Sequence, residues 1–263
     1  MKKSIITITI IISMLLTAKV YAGYKIVQLQ TTMSGLDTST ILLEKNKYKI
    51  VNPAETVIID FAHNRINLLR GQSKSYWEGT IEQYIKAITD MANVSKDRMM
   101  QAIKKLPKDQ QEQIIEMHGL DVKEPHVKVS VKETNQAEKI SGYNAQKFVV
   151  NANGMSYEEV WIARAIDIKK YIDPVKLQSF NAKIKKAAIG GTIAGDIGLS
   201  KPYMKLIELG YPVKVVSHNG MTTSVESVKK MNISNREFEI PSGYKRVQSL
   251  QEYFMSGHGA GMY

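Results

Sequence analysis

The chain has no cysteine in its 263 residues. A lipid-anchored bacterial lipoprotein needs a cysteine at its cleavage site, so this is not one, and no disulfide can staple the fold. Its core must hold by burial alone, which a chain of this length can supply. Motifs that carry chemistry are also missing. Neither an H-E-x-x-H pair nor a G-x-S-x-G elbow occurs, and His63, His118, His126, His218 and His258 are scattered without ligand spacing. The glycine-rich stretch Gly190–Gly198 lacks the lysine of a phosphate loop and follows helix-like sequence, so it marks close helix packing or a break between helices. No helix-turn-helix or RNA-binding signature is present. Catalysis, metal, cofactor and nucleic acid are therefore not expected.

What is there begins with an export signal. Lys2 and Lys3 precede an apolar run from Ile5 to Leu16, and small residues Val20 and Ala22 follow. This is a secretory signal peptide with cleavage expected after Ala22. The run is shorter than the roughly 20 apolar residues of a spanning helix, and no later run is long enough. The protein is expected to be secreted across the inner membrane into the periplasm. The formal net charge is +11, and losing Lys2, Lys3 and Lys19 leaves the mature chain still basic. An anionic membrane surface is a compatible partner, although lysines spread along the whole chain also fit a solvated positive surface.

The mature chain opens with short β-prone runs: Tyr24 to Met33, Ile41 to Leu43, Lys47 to Val51, Glu55 to Phe61, Arg65 to Leu69 and Ser73 to Glu78. Asn46, Asn52-Pro53, His63-Asn64 and Gly71 punctuate them. This is the pattern of an antiparallel meander or open barrel. At Thr80 the period changes to helical, with Ile81, Tyr84, Ile85, Ile88 and Met91 on one face and Thr80/Gln83 as a capping box. A second helical run is predicted over Met99–Leu106 and a third after Pro107. Met91, Met99, Met100 and Met117 make this layer methionine-rich, serving as plain cover for the sheet or as an adaptable apolar surface. A further helix is predicted from Asp173-Pro174, with Val175, Leu177, Phe180 and Ile184 as its apolar side. Arg236–Tyr244 reads as a closing edge element, and the tail after residue 250 as flexible and glycine-rich. His258, with Met255 and Met262, fits a solvated tail better than a soft-metal site.

Two Asn-Gly pairs mark hairpins, at Asn153-Gly154 and Asn219-Gly220. With a two-residue turn at the first, Val150 faces Tyr157, Phe148 faces Glu159 and Gln146 faces Trp161. Apolar residues then stand on both faces, as they also do at Val57-Ile58-Ile59. Either the strands are buried between two layers, or a curved sheet carries helices on one face and an apolar ligand space on the other. Glu158 and Glu159 point to opposite faces and cannot act as a carboxylate pair.

The segments G-Y-N-A-Q-K-F, E-E-V-W-I-A, G-Y-P-V-K-V and F-E-I-P-S-G-Y-K resemble a family of secreted bacterial proteins of unknown function placed near the LolA/LolB-like lipoprotein-carrier fold. V-I-I-D-F-A-H-N-R-I-N-L-L is similar to its strand-turn-strand pattern. The resemblance implies an α+β fold: a strongly curved antiparallel sheet, like an unclosed barrel, covered by two helical insertions. One LolA-like domain would then span residues 23–250, between the signal peptide 1–22 and a tail 251–263. Carriers of that fold shelter acyl chains, and the matching surface here is Val57, Ile59, Phe61, Phe148, Tyr157 and Trp161. No basic residue inside the cavity stands out among Lys45, Lys47 and Lys49. The expectation is a non-enzymatic binding protein for a lipid or lipoprotein acyl chain. The alternative is an envelope interaction or sensor module with a filled core.

Overall fold

A computed structural model describes residues 23–32, 35–117, 127–187 and 192–255. The expected signal peptide, His118, His126 and His258 lie outside the described residues.

The first half is a meander of six strands: β1 (Gly23–Thr32), β2 (Gly35–Glu44), β3 (Lys47–Val51), β4 (Thr56–Asp60), β5 (Arg65–Arg70) and β6 (Ser75–Thr80). Lys45 and Asn46 both take positive φ between the paired residues Glu44 and Lys47, so the hairpin closes in two residues. Helix α1 (Ile81–Ile103) follows directly, then α2 (Lys108–Met117). The Thr80 capping box forms, its hydroxyl accepting from the Gln83 amide at 3.1 Å while the Gln83 side chain accepts from the Thr80 amide at 2.8 Å. The two helical runs expected on either side of residue 95 are one continuous helix. No glycine or proline interrupts Ile81–Ile103, so nothing breaks the backbone ladder.

The second half is a meander of longer strands: β7 (Val129–Ile140), β8 (Tyr143–Ala152) and β9 (Met155–Ala163). Three helices interrupt it, α3 (Pro174–Ala187), α4 (Thr192–Leu199) and α5 (Lys201–Glu208), before β10 (Tyr211–Ser217) and β11 (Thr222–Met231). A 3₁₀ turn over Asn235–Phe238, a two-residue strand β12 (Lys245–Arg246) and helix α6 (Leu250–Met255) complete the described chain. The closing edge element expected over Arg236–Tyr244 is thus that turn and its sequel, with pairing only at Lys245 and Arg246. The tail expected to be flexible from residue 251 begins as a docked helix. Tyr253 is fully buried, its hydroxyl donating to Glu55 (3.2 Å), and Arg70 donates to its carbonyl (2.6 Å).

One sheet of twelve strands results, in the order β12-β6-β5-β4-β3-β2-β1-β11-β10-β9-β8-β7. Among the described strands only the β12–β6 pair is parallel. The sheet is curved and unclosed, and the class is α+β as expected, with α6 added to the two helical insertions. Neighbouring residues on its strands serve different layers. Ile59 joins Ile26, Leu43, Ile66 and Leu68 in the main core, under Tyr84 of α1, Phe180 of α3 and Tyr253 of α6. Ile58, on the opposite face, packs with Leu42, Leu69, Ile233 and Phe238. Phe148, Val150, Val160 and Ile162 pack beneath Ile197 of α4 and Leu206 and Ile207 of α5. The apolar residues on both faces are explained by burial between two layers.

The long edge strand β7 carries a register irregularity between Glu133 and Ala137. There the Gln146 side-chain amide donates to the carbonyls of Thr134 (2.5 Å) and Gln136 (2.9 Å). Lys132, Glu133, Glu138 and Lys139 are exposed along it.

Helices α3 and α4 meet at two glycines. A Cβ at Gly195 would sit 2.6 Å from the Lys186 Cα and 2.7 Å from its amide nitrogen, and one at Gly198 would sit 2.8 Å from Ala182 Cβ. Backbone cannot yield as a side-chain tip does, so Gly195→Ala must push α4 away from α3. We expect it to destabilise the fold by roughly 1–3 kcal/mol, read as a lower urea midpoint at unchanged slope. A midpoint equal to the parent's would show that the helices separate freely.

Candidate functional site

The six residues expected to line one surface do not share one. Ile59 and Trp161 belong to the main core, with Val57 and Phe61 packed against it, whereas Phe148 and Tyr157 belong to the cluster under α4 and α5. The cause is local. Asn153 and Gly154 adopt positive φ and Ala152 pairs with Met155, so the turn is two residues long. Past it the register slips: Asn151 pairs with Ser156 but Val150 with Glu158, and Tyr157 is the extra residue of a bulge. The expected pairs Val150–Tyr157, Phe148–Glu159 and Gln146–Trp161 therefore become Val150–Glu158, Phe148–Val160 and Gln146–Ile162. Glu158 and Glu159 do point apart. The Trp161 ring lies under the Lys147 and Lys214 ammonium groups, 5.1 and 4.6 Å from its centroid. Lys47 and Lys49 reach the Asn235–Phe238 turn, Lys49 donating to the Glu237 carbonyl at 2.6 Å, and so serve the outer layer.

Two recesses bear on function. The larger, about 500 Å³, lies between α1 and α6. Its apolar walls are Met91 and Val94 of α1 with Phe254 and Met255 of α6. Met91 and Val94 are three residues apart on one helical face, and Arg98 lies a further turn along. Val94 is 49% exposed and Met255 67%. Arg98 is exposed at the groove, while Asp90 beside it is paired with Lys86 at 2.6 Å. The methionine-rich layer expected from sequence contributes Met91 here.

The smaller recess, about 240 Å³, has a mixed polar and apolar lining and sits where the β9 bulge meets α3, α4 and α5. The bulge brings Glu158 inward to 7% exposure. Tyr203 lines the same recess beside its carboxylate, and Oε1 is sealed from solvent with no partner among the described residues. Tyr157 stacks on His218 with centroids 4.7 Å apart, and its carbonyl accepts from the His218 amide at 2.8 Å. Lys185 lines the wall without forming an ion pair with Glu158. Burial pushes the Glu158 carboxyl above its ordinary range, against smaller pulls from Tyr203, Lys185 and His218. Burial and the Glu158 charge push the Tyr203 phenol up in turn.

Sequence reasoning missed this pocket. A bulge leaves no compositional mark, so Glu158 looked like an ordinary strand residue. Tyr203 was findable, because Ser200 caps α5 and Pro202 stands in its first turn, a helix-start signal. Among the described residues no group of three histidine or acidic side chains is placed to hold a metal, and no helix is long and apolar enough to cross a membrane.

The pH dependence follows from Glu158. Above its ordinary value of 4.5 and below its raised folded value, the native state keeps a proton that the unfolded chain has lost. Stability contributed by this group is therefore full below that window and falls as pH rises through it. Glu158→Gln stays neutral, so its melting temperature should gain on the parent's as pH rises above 4.5 and through the raised folded value. Parallel profiles would place no titration at Glu158.

Comparison with known proteins adds a family and distant fold likenesses. No curated protein matches the chain. Among solved structures, PNGF-II in two crystal forms superposes with TM-scores of 0.38 and 0.40 at 14% identity, over 89% of this chain. The chain spans only 33% and 32% of the length of those PNGF-II chains. MucB aligns with a TM-score of 0.36 at 7% identity, over 84% of this chain and 58% of its own. A family model described as a domain of unknown function, DUF4412, matches residues 89–244; that segment is more than half of the chain and holds every strand from β7 to β11, and the protein belongs to this family.

Proposed function

We propose that this protein is an exported, non-enzymatic binding module that receives the acyl chain of an anionic amphiphile, a lipid or the lipid of a lipoprotein, in the groove between α1 and α6. One observation carries the reading. The sheet surface from which a carrier would offer its ligand space is occupied by Tyr84, Phe180 and Tyr253, whereas the α1/α6 groove has apolar walls and about 500 Å³ of space. That volume falls within the roughly 300–1,000 Å³ of small-molecule sites. Arg98 at the groove supplies a guanidinium for a carboxylate or phosphate head, and its planar fork suits either. The signal peptide expected at residues 1–22 supports a periplasmic setting for such cargo. The second reading, an envelope protein–protein interaction or sensor module, is favoured by the filled sheet surface and would use the same exposed Val94 and Met255 as contacts.

The test is lauric acid binding to the mature protein, followed by calorimetry and native mass spectrometry. Val94→Asp places a charge on a half-exposed wall and should leave folding intact. We expect it to weaken lauric acid binding by about tenfold or more, and Arg98→Glu to weaken the acid but not dodecanol. If the parent protein binds no lauric acid at millimolar concentration, or Val94→Asp binds as the parent does, the acyl-chain reading fails and the interaction-module reading takes its place.

A further inference from the structure

The pocket beneath the β9 bulge shares none of its residues with the α1/α6 groove, so a ligand there is independent of the acyl-chain reading. Glu158 is more than nine-tenths buried and lines this recess, and its Oε1 is sealed from solvent without a partner among the described residues. A carboxylate left short of donors is costly, and one at the wall of an open recess leaves a place for a donor at its other oxygen. We propose that this pocket binds a primary ammonium group on a short stem, held by the Glu158 carboxylate.

Three features select that chemistry. The first is charge: a cation in the recess favours loss of the Glu158 proton, and the ionised carboxylate then accepts only, in a site where water screens poorly. The second is denticity. Oε1 is sealed off, so the two-oxygen face that a guanidinium fork prefers is not free. An ammonium group instead has three donors on one centre. The Glu158 carboxylate takes one, and Gln178 and Ser217 on the same wall offer oxygen acceptors for the others. Gln178 spends only its amide nitrogen elsewhere, on the Gly198 carbonyl at 3.5 Å. The third is the aromatic lining. Tyr157 and Tyr203 line the recess, and aromatic rings attract a cation and cover its methylene stem.

Lys185 sets the competition. Its side chain lines the mouth of the same recess and is exposed. Its ammonium group already pulls on the Glu158 charge from outside hydrogen-bonding range. It repels an incoming amine and rivals it for the Glu158 carboxylate, so removing it should strengthen binding.

The experiment is a titration of the ¹⁵N-labelled mature protein with n-butylammonium chloride, with potassium chloride at equal ionic strength and n-butanol as the neutral isostere. We expect saturable shifts at the Tyr157, Ser217 and His218 amides, with n-butanol weaker by about tenfold or more. Glu158→Gln keeps the shape, and it should lose about tenfold in affinity or more. Tyr157→Leu should lose a few-fold through the missing π-face, and Lys185→Ala should bind more tightly than the parent. Putrescine and Nα-acetyl-lysine methylamide, run in parallel, separate a free diamine from a lysine side chain as the source of the ammonium group. Equal binding of n-butanol and n-butylammonium, or unchanged affinity in a folded Glu158→Gln, overturns the proposal. Should Glu158→Gln fail to fold, unchanged affinity in both Tyr157→Leu and Lys185→Ala overturns it instead.

Discussion

The pairing of β1 with β11 is the constraint on which the architecture rests. Each half of the chain makes a meander whose hydrogen bonds are local, strand to next strand. The two become one sheet only because Gly23 to Gln30 aligns with Met231 to Thr223, about two hundred residues away. The seam carries large burial on the β1 side, where Tyr24 and Ile26 are closed off and pack with Leu43 and Ile41 of β2. It also carries a bulge between Val27 and Gln28, which adds twist where the halves join. The helices then span both halves. Phe180 of α3 stacks on Tyr84 of α1 at 6.1 Å while the α3–α4 glycines hold α4 close, so α1, α3 and α4 form one connected layer. A seam between segments so distant carries a loop-entropy cost that must be met before the pairing rewards it.

That layer decides where ligands can go. A curved sheet with helices over it has room for an apolar ligand only if the helices stand off. Here Tyr84, Phe180 and Tyr253 reach down onto Leu43, Ile59, Ile66 and Leu68 and fill most of the space, leaving about 170 Å³ between Gln28, Ile41 and Tyr48 of the sheet and Leu177 of α3. Larger recesses lie at the margins, one where α1 runs past the sheet beside α6, another where a bulged strand meets three helices. The first is apolar because both helices turn residues outward that have no sheet beneath them. The second is partly polar because the bulge turns an acidic residue inward.

Much of the fold was legible in the sequence, and the reasons are specific. Asn153-Gly154 and Asn219-Gly220 named their hairpins because few residues tolerate positive φ. Thr80 with Gln83 named the start of α1. The doubled apolar pattern at Val57-Ile58-Ile59 named a strand with two covered faces. The candidate site was much less legible. A one-residue slip after Asn151 moves Val160 opposite Phe148 and brings Glu158 opposite Val150, and no residue type announces it. The start of the tail was hidden for a related reason. Glycines after residue 256 suggest disorder, yet Tyr253 finds partners in Arg70 and Glu55 that lie far away in sequence.

The edge at β7 has a consequence for how the molecule behaves at high concentration. A twelve-residue strand at the margin of a wide sheet is a template onto which another chain can add, and from there a fibril can grow. Here the Gln146 amide ties down two carbonyls at the irregularity, the ladder kinks there, and lysines and glutamates stand exposed on either side of it. An incoming strand meets a margin that is bent and charged. At the opposite margin β12 pairs with Ser75 and Tyr76, which leaves the four residues from Trp77 to Thr80 of β6 at the edge, a short run for a template. A sheet this wide can therefore stay open at both ends and still remain colloidally quiet, which closure into a barrel would otherwise have to provide.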